Sequence, residues 1–165
     1  MTTLRTTPAV ISRPPSKAPL LLRLSNPMAR TLLRAGMPMG PNTLLTVRGR
    51  TSGEPRTAPV AVAPIEGQRY VIGAYGDVQW VRNLRAAGEA DIRTPAGMEH
   101  VRAVELDREA AVEFFTATLP SYIAKFPRLG RFFGRLLFGL VAPEIFSDPA
   151  RAAETRPVFE LRATE

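Results

Sequence analysis

The apolar positions Leu44, Leu45 and Val47 between Thr43 and Arg48 read as a first strand, and Thr57 to Ala63, alternating small and β-branched residues, as a second. Gly49-Arg50-Thr51-Ser52-Gly53 forms the turn between them, and Glu66-Gly67 a second turn leading into a third strand, Arg69 to Ala74. This predicts a three-strand antiparallel meander. The period then changes. Trp80, Val81, Leu84 and Ala87 share one helical face, Arg82, Arg85 and Glu89 point outward, Asp77 is the expected N-cap and Gly88 the stop. Ala90 to Thr94 and Met98 to Leu106 read as a hairpin around Pro95-Ala96-Gly97. Asp107 caps a helix reaching about Thr118, with Ala111, Phe114 and Phe115 inward, and Pro157 to Ala163 is the last strand. Upstream, Asn26 as N-cap, Pro27 at the first helical position and Gly36 as the stop define a short helix. Met28, Leu32 and Ala35 form its apolar face, and Arg30 and Arg34 share another.

Six strands with helices between them predict an α+β, mainly β fold, a small antiparallel barrel with inserted helices. A length of 165 residues suits one domain. That domain is expected over residues 26–165, behind a disordered basic arm at 1–25 that contains Pro8, Pro14, Pro15 and Pro19. From Phe126 to Leu140 apolar residues at helical spacing alternate with Lys125, Arg128, Arg131 and Arg135, but Gly130, Gly134 and Gly139 weaken a helix. The segment could cover a binding site, touch a membrane or simply pack in the core.

Composition removes several chemistries. There is no cysteine, hence no thiolate nucleophile, disulfide or Cys-ligated metal, and the single histidine, His100, sits in a strand-like run. No metal site is expected. The net charge of +7 is unevenly spread: residues 1–53 carry eight Arg/Lys and no acid, and four more basic residues lie between Glu113 and Glu144 without an acid. Such blocks suit a polyanion: nucleic acid, anionic lipid, or a ligand bearing phosphate and carboxylates. No recognisable nucleic-acid motif accompanies them, so nucleic acid is not the expected partner. No apolar run is long enough to span a membrane. The expectation is a cytoplasmic protein whose basic segments allow peripheral membrane contact.

Two segments carry candidate chemistry. In Gly49 to Arg56, the glycines let backbone N–H groups converge, Thr51 and Ser52 add hydroxyls, and Arg50 and Arg56 add planar guanidinium forks suited to phosphate. In Ala74 to Leu84, a strand ends, Gly76 permits close backbone approach, and a helix begins with Trp80 and Asn83 one turn apart, its free N–H groups suited to an anion or an electron-rich ring edge.

Taken together, Leu45 to Arg56, Arg69 to Ile72, Trp80 to Arg85 and Pro157 to Phe159 resemble the deazaflavin (coenzyme F420)-dependent nitroreductase family, over roughly residues 26 to 163. The resemblance implies a split β-barrel of the flavin-binding type. It implies that Arg50, Ser52 and Arg56, with Thr51 and Gly53 in the same turn, hold the coenzyme phosphate. Backbone groups of Ala74, Tyr75 and Gly76 would line the deazaflavin ring near Trp80, and Arg82 and Asn83 would complete the phosphate side. Thr51 stands where the family often has a basic residue, and the tyrosine-rich substrate segment of nitroimidazole-reducing members is not reproduced around Tyr122. The implied function is hydride transfer between reduced F420 and a planar, electron-poor acceptor, a quinone or nitro compound. Tyr75, Tyr122 or water would supply the proton. The resemblance also allows a homodimer. The alternatives are a barrel that binds FMN, haem or a lipid without F420 catalysis, and a basic nucleic-acid-binding module.

Overall fold

The computed structural model describes residues 42–128 and 142–164. The expected N-terminal arm, the helix at 26–36 with Arg30 and Arg34, and most of the apolar, basic run at 126–140 lie outside the described residues.

The meander appears as expected: β1 (Asn42–Arg48), β2 (Pro55–Ile65) and β3 (Gln68–Ile72) pair antiparallel in sequence. Helix α1 (Gln79–Ala87) follows, then the hairpin β4 (Glu89–Thr94) and β5 (Gly97–Glu105). Next come α2 (Arg108–Glu113), a π-helical turn (Phe114–Thr118) and α3 (Leu119–Ala124). After residue 141, α4 (Glu144–Ser147) and α5 (Pro149–Thr155) lead into β6 (Val158–Ala163). The strands close into an antiparallel barrel in the order β1-β2-β3-β6-β5-β4. Closure joins distant chain segments: β3 pairs β6 through Val71↔Phe159, and β1 pairs β4 through Leu45↔Ile92. The expected barrel with inserted helices is therefore the observed architecture.

Alternation fills the barrel. Leu45 and Val47 of β1 are buried while Arg48, the last residue of the strand, is exposed, and Val60, Val71, Ile92, Val101, Phe159 and Leu161 join the inner cluster from the five other strands. Helix α1 plugs this interior with the predicted stripe: Val81 and Leu84 are fully buried, and Trp80 and Ala87 pack against the same cluster. Each fully buried aliphatic side chain contributes about 1.5–3 kcal/mol relative to exposure. A second cluster packs the later helices on the barrel wall, with Phe114 between Tyr70 and Phe115 at centroid distances of 5.1 and 5.4 Å.

Three expectations are corrected in detail. β3 stops at Ile72 rather than Ala74, because Gly73 turns away to donate to the Pro157 carbonyl at 2.7 Å. The Asp107 helix does begin with its side chain accepting from Ala110 N–H, but it widens at Phe114 into a π turn, where Leu119 N–H reaches back to the Phe114 carbonyl. Pro120 follows and has no N–H to donate, so a regular α ladder cannot continue through it. The third correction concerns Asp77. The N-cap of α1 is Val78, without a side-chain cap bond, and Asp77 instead accepts from Arg82 Nε at 3.0 Å and Arg85 Nη1 at 2.7 Å. Two charge-assisted bonds outweigh one capping bond to a neutral N–H. Arg82 and Arg85 thus turn back onto the preceding loop instead of pointing freely outward. Among the described residues no helix is long and apolar enough to cross a membrane.

Candidate functional site

The turn after β1 is locked by its own backbone. Gly49 N–H donates to the Glu54 carbonyl and Gly53 N–H to the Gly49 carbonyl, both at 2.8 Å. A Cβ on Gly49 would lie 2.9 Å from Ser52 Oγ and 3.1 Å from the Glu54 carbonyl oxygen, so a side chain here would require Ser52 to rotate and the turn to give by a few tenths of an ångström. This closure presents Arg50, Thr51 and Ser52 at the barrel rim, and Arg56 joins them from the start of β2.

Opposite the turn stands the first turn of α1. Arg50 Nη1 donates to Asn83 Oδ1 at 2.9 Å and to Gln79 Oε1 at 2.8 Å, and the Arg50 backbone N–H also points to Asn83 Oδ1 at 3.3 Å. Asn83 is only 7 % exposed, the one buried polar side chain among the described residues. It bridges two segments far apart in the chain and takes up one of the turn N–H groups expected to face an anion.

Between turn and helix lies a cleft of about 500 Å³, lined by Gly49, Arg50, Thr51, Ser52, Arg56, Thr57, Ala58, Gln79, Trp80 and Asn83. Its volume is within the ~300–1,000 Å³ of small-molecule sites. The lining contains two guanidinium groups and no carboxylate. An acid contact lies at the rim, where exposed Glu54 accepts from Arg56 Nη2 at 3.0 Å. Trp80 forms an aromatic wall, half-buried, with its ring 6.5 Å from Phe159. It is at once a core residue and part of the cleft. The chemistry gathered here is a cationic, hydroxyl-bearing end beside a flat apolar wall.

Arg50, Thr51, Ser52, Arg56, Trp80 and Asn83, all singled out in the sequence, meet at this cleft. Gly53 does not line it; it sits in the turn at φ 71°. Ala74, Tyr75 and Gly76 form the loop between β3 and α1, which runs directly into Gln79 but is not part of the lining. Gly76 adopts φ 74°, a left-handed conformation that glycine takes without strain, and donates to the Gly73 carbonyl at 2.7 Å. Arg82 is engaged with Asp77. Burial alone would raise the Asp77 carboxyl, but hydrogen bonds from Arg85 and Arg82 outweigh it and hold the group below the usual carboxylate range. Burial pushes the Tyr75 and Tyr122 phenols up, so both stay protonated at neutral pH. Tyr122 packs edge-on to Phe126 in the helical cluster, away from the cleft lining.

Sequence reasoning missed Gln79, Thr57 and Ala58, neighbours of the two motifs whose inward direction depends on strand register. It also missed Arg156. This side chain donates from Nη1 to the Ala74 carbonyl at 2.6 Å and from Nε to Glu144 Oε1 at 2.7 Å. Its position just before the Pro157-Val158-Phe159 motif was the sole available signal.

Several solved structures resemble the chain at low identity. A candidate 5-nitroimidazole antibiotic resistance protein from Bacteroides thetaiotaomicron is 10% identical, with 82% of this chain and 80% of that one covered and a TM-score of 0.49. A structure described as an F420-H2 dependent reductase is 17% identical over 74% of this chain and 94% of its own, with a TM-score of 0.44. The haem storage protein HutZ from Vibrio cholerae is 12% identical over 84% and 89%, with a TM-score of 0.46. With TM-scores this low, the fold assignment rests on the barrel's own strand order. No curated protein matches the chain in sequence. The family comparison is more informative: the model of the F420H(2)-dependent quinone reductase family matches residues 28–126. That span contains β1 to α3, the closed turn, Trp80 and Asn83, and hence every residue lining the cleft. By this match, which covers more than half its length, the chain belongs to the F420H(2)-dependent quinone reductase family of oxidoreductases.

Proposed function

We propose that the protein binds reduced coenzyme F420 at the cleft and passes a hydride from it to a planar, electron-poor acceptor, with quinones the leading class. The observation that carries this reading is the junction of the two motifs: Arg50, held by Asn83 and Gln79, shares one acid-free cleft with Ser52, Arg56 and Trp80. The residues suit the coenzyme. Two guanidiniums and two hydroxyls match a phosphate, and the indole wall matches a flat ring.

Arg50, Thr51, Ser52 and Arg56 would bind the phosphate, with Gly53 closing the turn. Asn83 would orient Arg50. The backbone of Ala74, Tyr75 and Gly76 would meet the ring beside Trp80, and Arg82 would act through Asp77, fixing the loop that carries them. When bound, the deazaflavin supplies two-electron hydride chemistry at its central ring carbon. A quinone that accepts a hydride needs one proton to become the hydroquinone. Tyr75, on the loop next to the cleft and kept protonated by burial, is the better-placed donor; Tyr122 lies in the helical cluster.

The test is titration of the purified protein with F420 and, separately, FMN, followed by oxidation of reduced F420 in the presence of menaquinone analogues, nitroimidazoles and enones. Tight F420 binding with turnover of a quinone supports the reading. Preference for FMN, or F420 binding without turnover of any acceptor, overturns it.

A further inference from the structure

The loop from Gly73 to Val78 is held from both sides. On one side Asp77 accepts from Arg82 and Arg85 of the following helix. On the other, the segment before β6 reaches across the barrel end: Gly73 N–H donates to the Pro157 carbonyl at 2.7 Å, and Arg156 Nη1 donates to the Ala74 carbonyl at 2.6 Å. The Arg156 guanidinium is itself oriented by Glu144, which accepts from both Nε and Nη2. Side-chain exposure is 13 % for Arg156 and 17 % for Glu144, the most enclosed such pair in the described structure.

Desolvated ion pairs are a poor source of net stability, because the cost of removing the charges from water offsets their attraction. What the pair provides is direction. A guanidinium gripped at two nitrogens keeps its remaining donor aimed at one carbonyl, which a flexible ammonium does less well. The carbonyl it grips begins the loop that runs into Gln79 and Trp80 of the cleft.

We propose that Arg156, oriented by Glu144, is a positioning residue that fixes the Ala74–Gly76 backbone against which the coenzyme ring is to rest. This deepens the cofactor reading given above and rests on it. Arg156 acts on the ring end alone; the phosphate end, at Arg50 and Arg56, is held by other contacts.

The experiment compares wild type, Arg156→Met and Arg156→Lys by amide hydrogen exchange, and by equilibrium binding of F420 and of ribitol phosphate, a probe with the phosphate but no ring. In Arg156→Met, exchange of the Ala74, Gly76 and Val78 amides should accelerate about tenfold or more, with β4 and β5 unchanged. F420 affinity should fall about tenfold, and ribitol phosphate affinity should hold. Arg156→Lys retains a charge and a donor, so it should recover part of both losses; a role in packing alone would leave Met and Lys equal. If the methionine variant does not fold, the lysine variant against wild type should show the same local loosening at smaller amplitude. Unchanged exchange at residues 74–78 overturns the proposal, as does equal loss of affinity for both ligands. A wild type that fails to bind F420 overturns the cofactor reading and the ring-positioning role, while exchange still decides whether Arg156 holds the loop.

Discussion

Asn83 Oδ1 accepts from the Arg50 guanidinium at 2.9 Å and lies 3.3 Å from the Arg50 backbone nitrogen, tying the turn after β1 to the helix that plugs the barrel. The bond separates two functions that a substitution can test apart. Asn83→Leu removes the acceptor and should cost about 1–3 kcal/mol of stability. Asn83→Asp can make the same bonds but brings a negative charge to an otherwise acid-free cleft. It should unfold near the wild-type denaturant midpoint while losing most F420 affinity. Equal F420 affinity in Asn83→Asp and wild type would take the phosphate away from Arg50.

Arg56 and Arg69 make a second contrast. Arg56 is exposed and bound to Glu54 at the rim, whereas Arg69 forms a two-pronged bond with Glu99 on the barrel wall at 2.7 and 2.8 Å. Arg56→Ala should weaken F420 binding by about 1.5–3 kcal/mol, roughly ten- to hundredfold, with little change in Tm. Arg69→Ala should lower Tm and leave binding intact. Glu54→Gln removes the negative charge that competes for Arg56 and should tighten F420 binding. Calorimetric titration and thermal melts of the three variants check this.

Gly49→Ala should destabilise the protein by about 1–3 kcal/mol, since the added Cβ would crowd Ser52 Oγ and the Glu54 carbonyl and force the turn to shift. F420 affinity should fall with it, because the same shift displaces Arg50 and Ser52. Normal affinity in a folded Gly49→Ala variant would place the phosphate elsewhere.

Acid should loosen the loop between β3 and α1. The folded pKa of Asp77 is depressed, so its contribution to stability is complete above the unfolded value of about 3.9 and is lost as pH falls through the lower folded value. Asp77→Asn should therefore be less stable than wild type at neutral pH, and the difference should shrink toward the acid limb. Urea unfolding of both proteins between neutral pH and the acid limb measures it; a constant gap would remove Asp77 from the linkage.

Trp80 is the only tryptophan in the chain and lines the cleft, so its emission reports on the site directly. Saturating F420 should quench it, and the fitted midpoint should agree with that from coenzyme fluorescence. Saturable binding with unchanged Trp80 emission would move the ring away from this wall.

Local chemistry wrote much of this molecule into its sequence. The strand from Thr43 to Arg48, the turn at Gly49 to Gly53, the stripe of Val81 and Leu84 and the stop at Gly88 depend on residues within a few positions of each other, and each appears where the pattern puts it. The cationic turn was legible for the same reason: Arg50, Ser52 and Arg56 lie on one short piece of chain. Partner choice across the barrel was not. Asp77 looked like a helix cap because capping is a local habit, yet two arginines reached it once α1 was packed. Asn83 met Arg50 across 33 residues, and Arg156 met the Ala74 carbonyl across 82, through strand pairings that no neighbouring residue encodes. Strands, turns and the cationic character of the Gly49–Arg56 turn follow from backbone period and side-chain type, and so are legible in the chain before it folds. Which charges face the cleft and which hold the loop is settled by barrel closure, because hydrogen-bond geometry depends on where closure brings each donor.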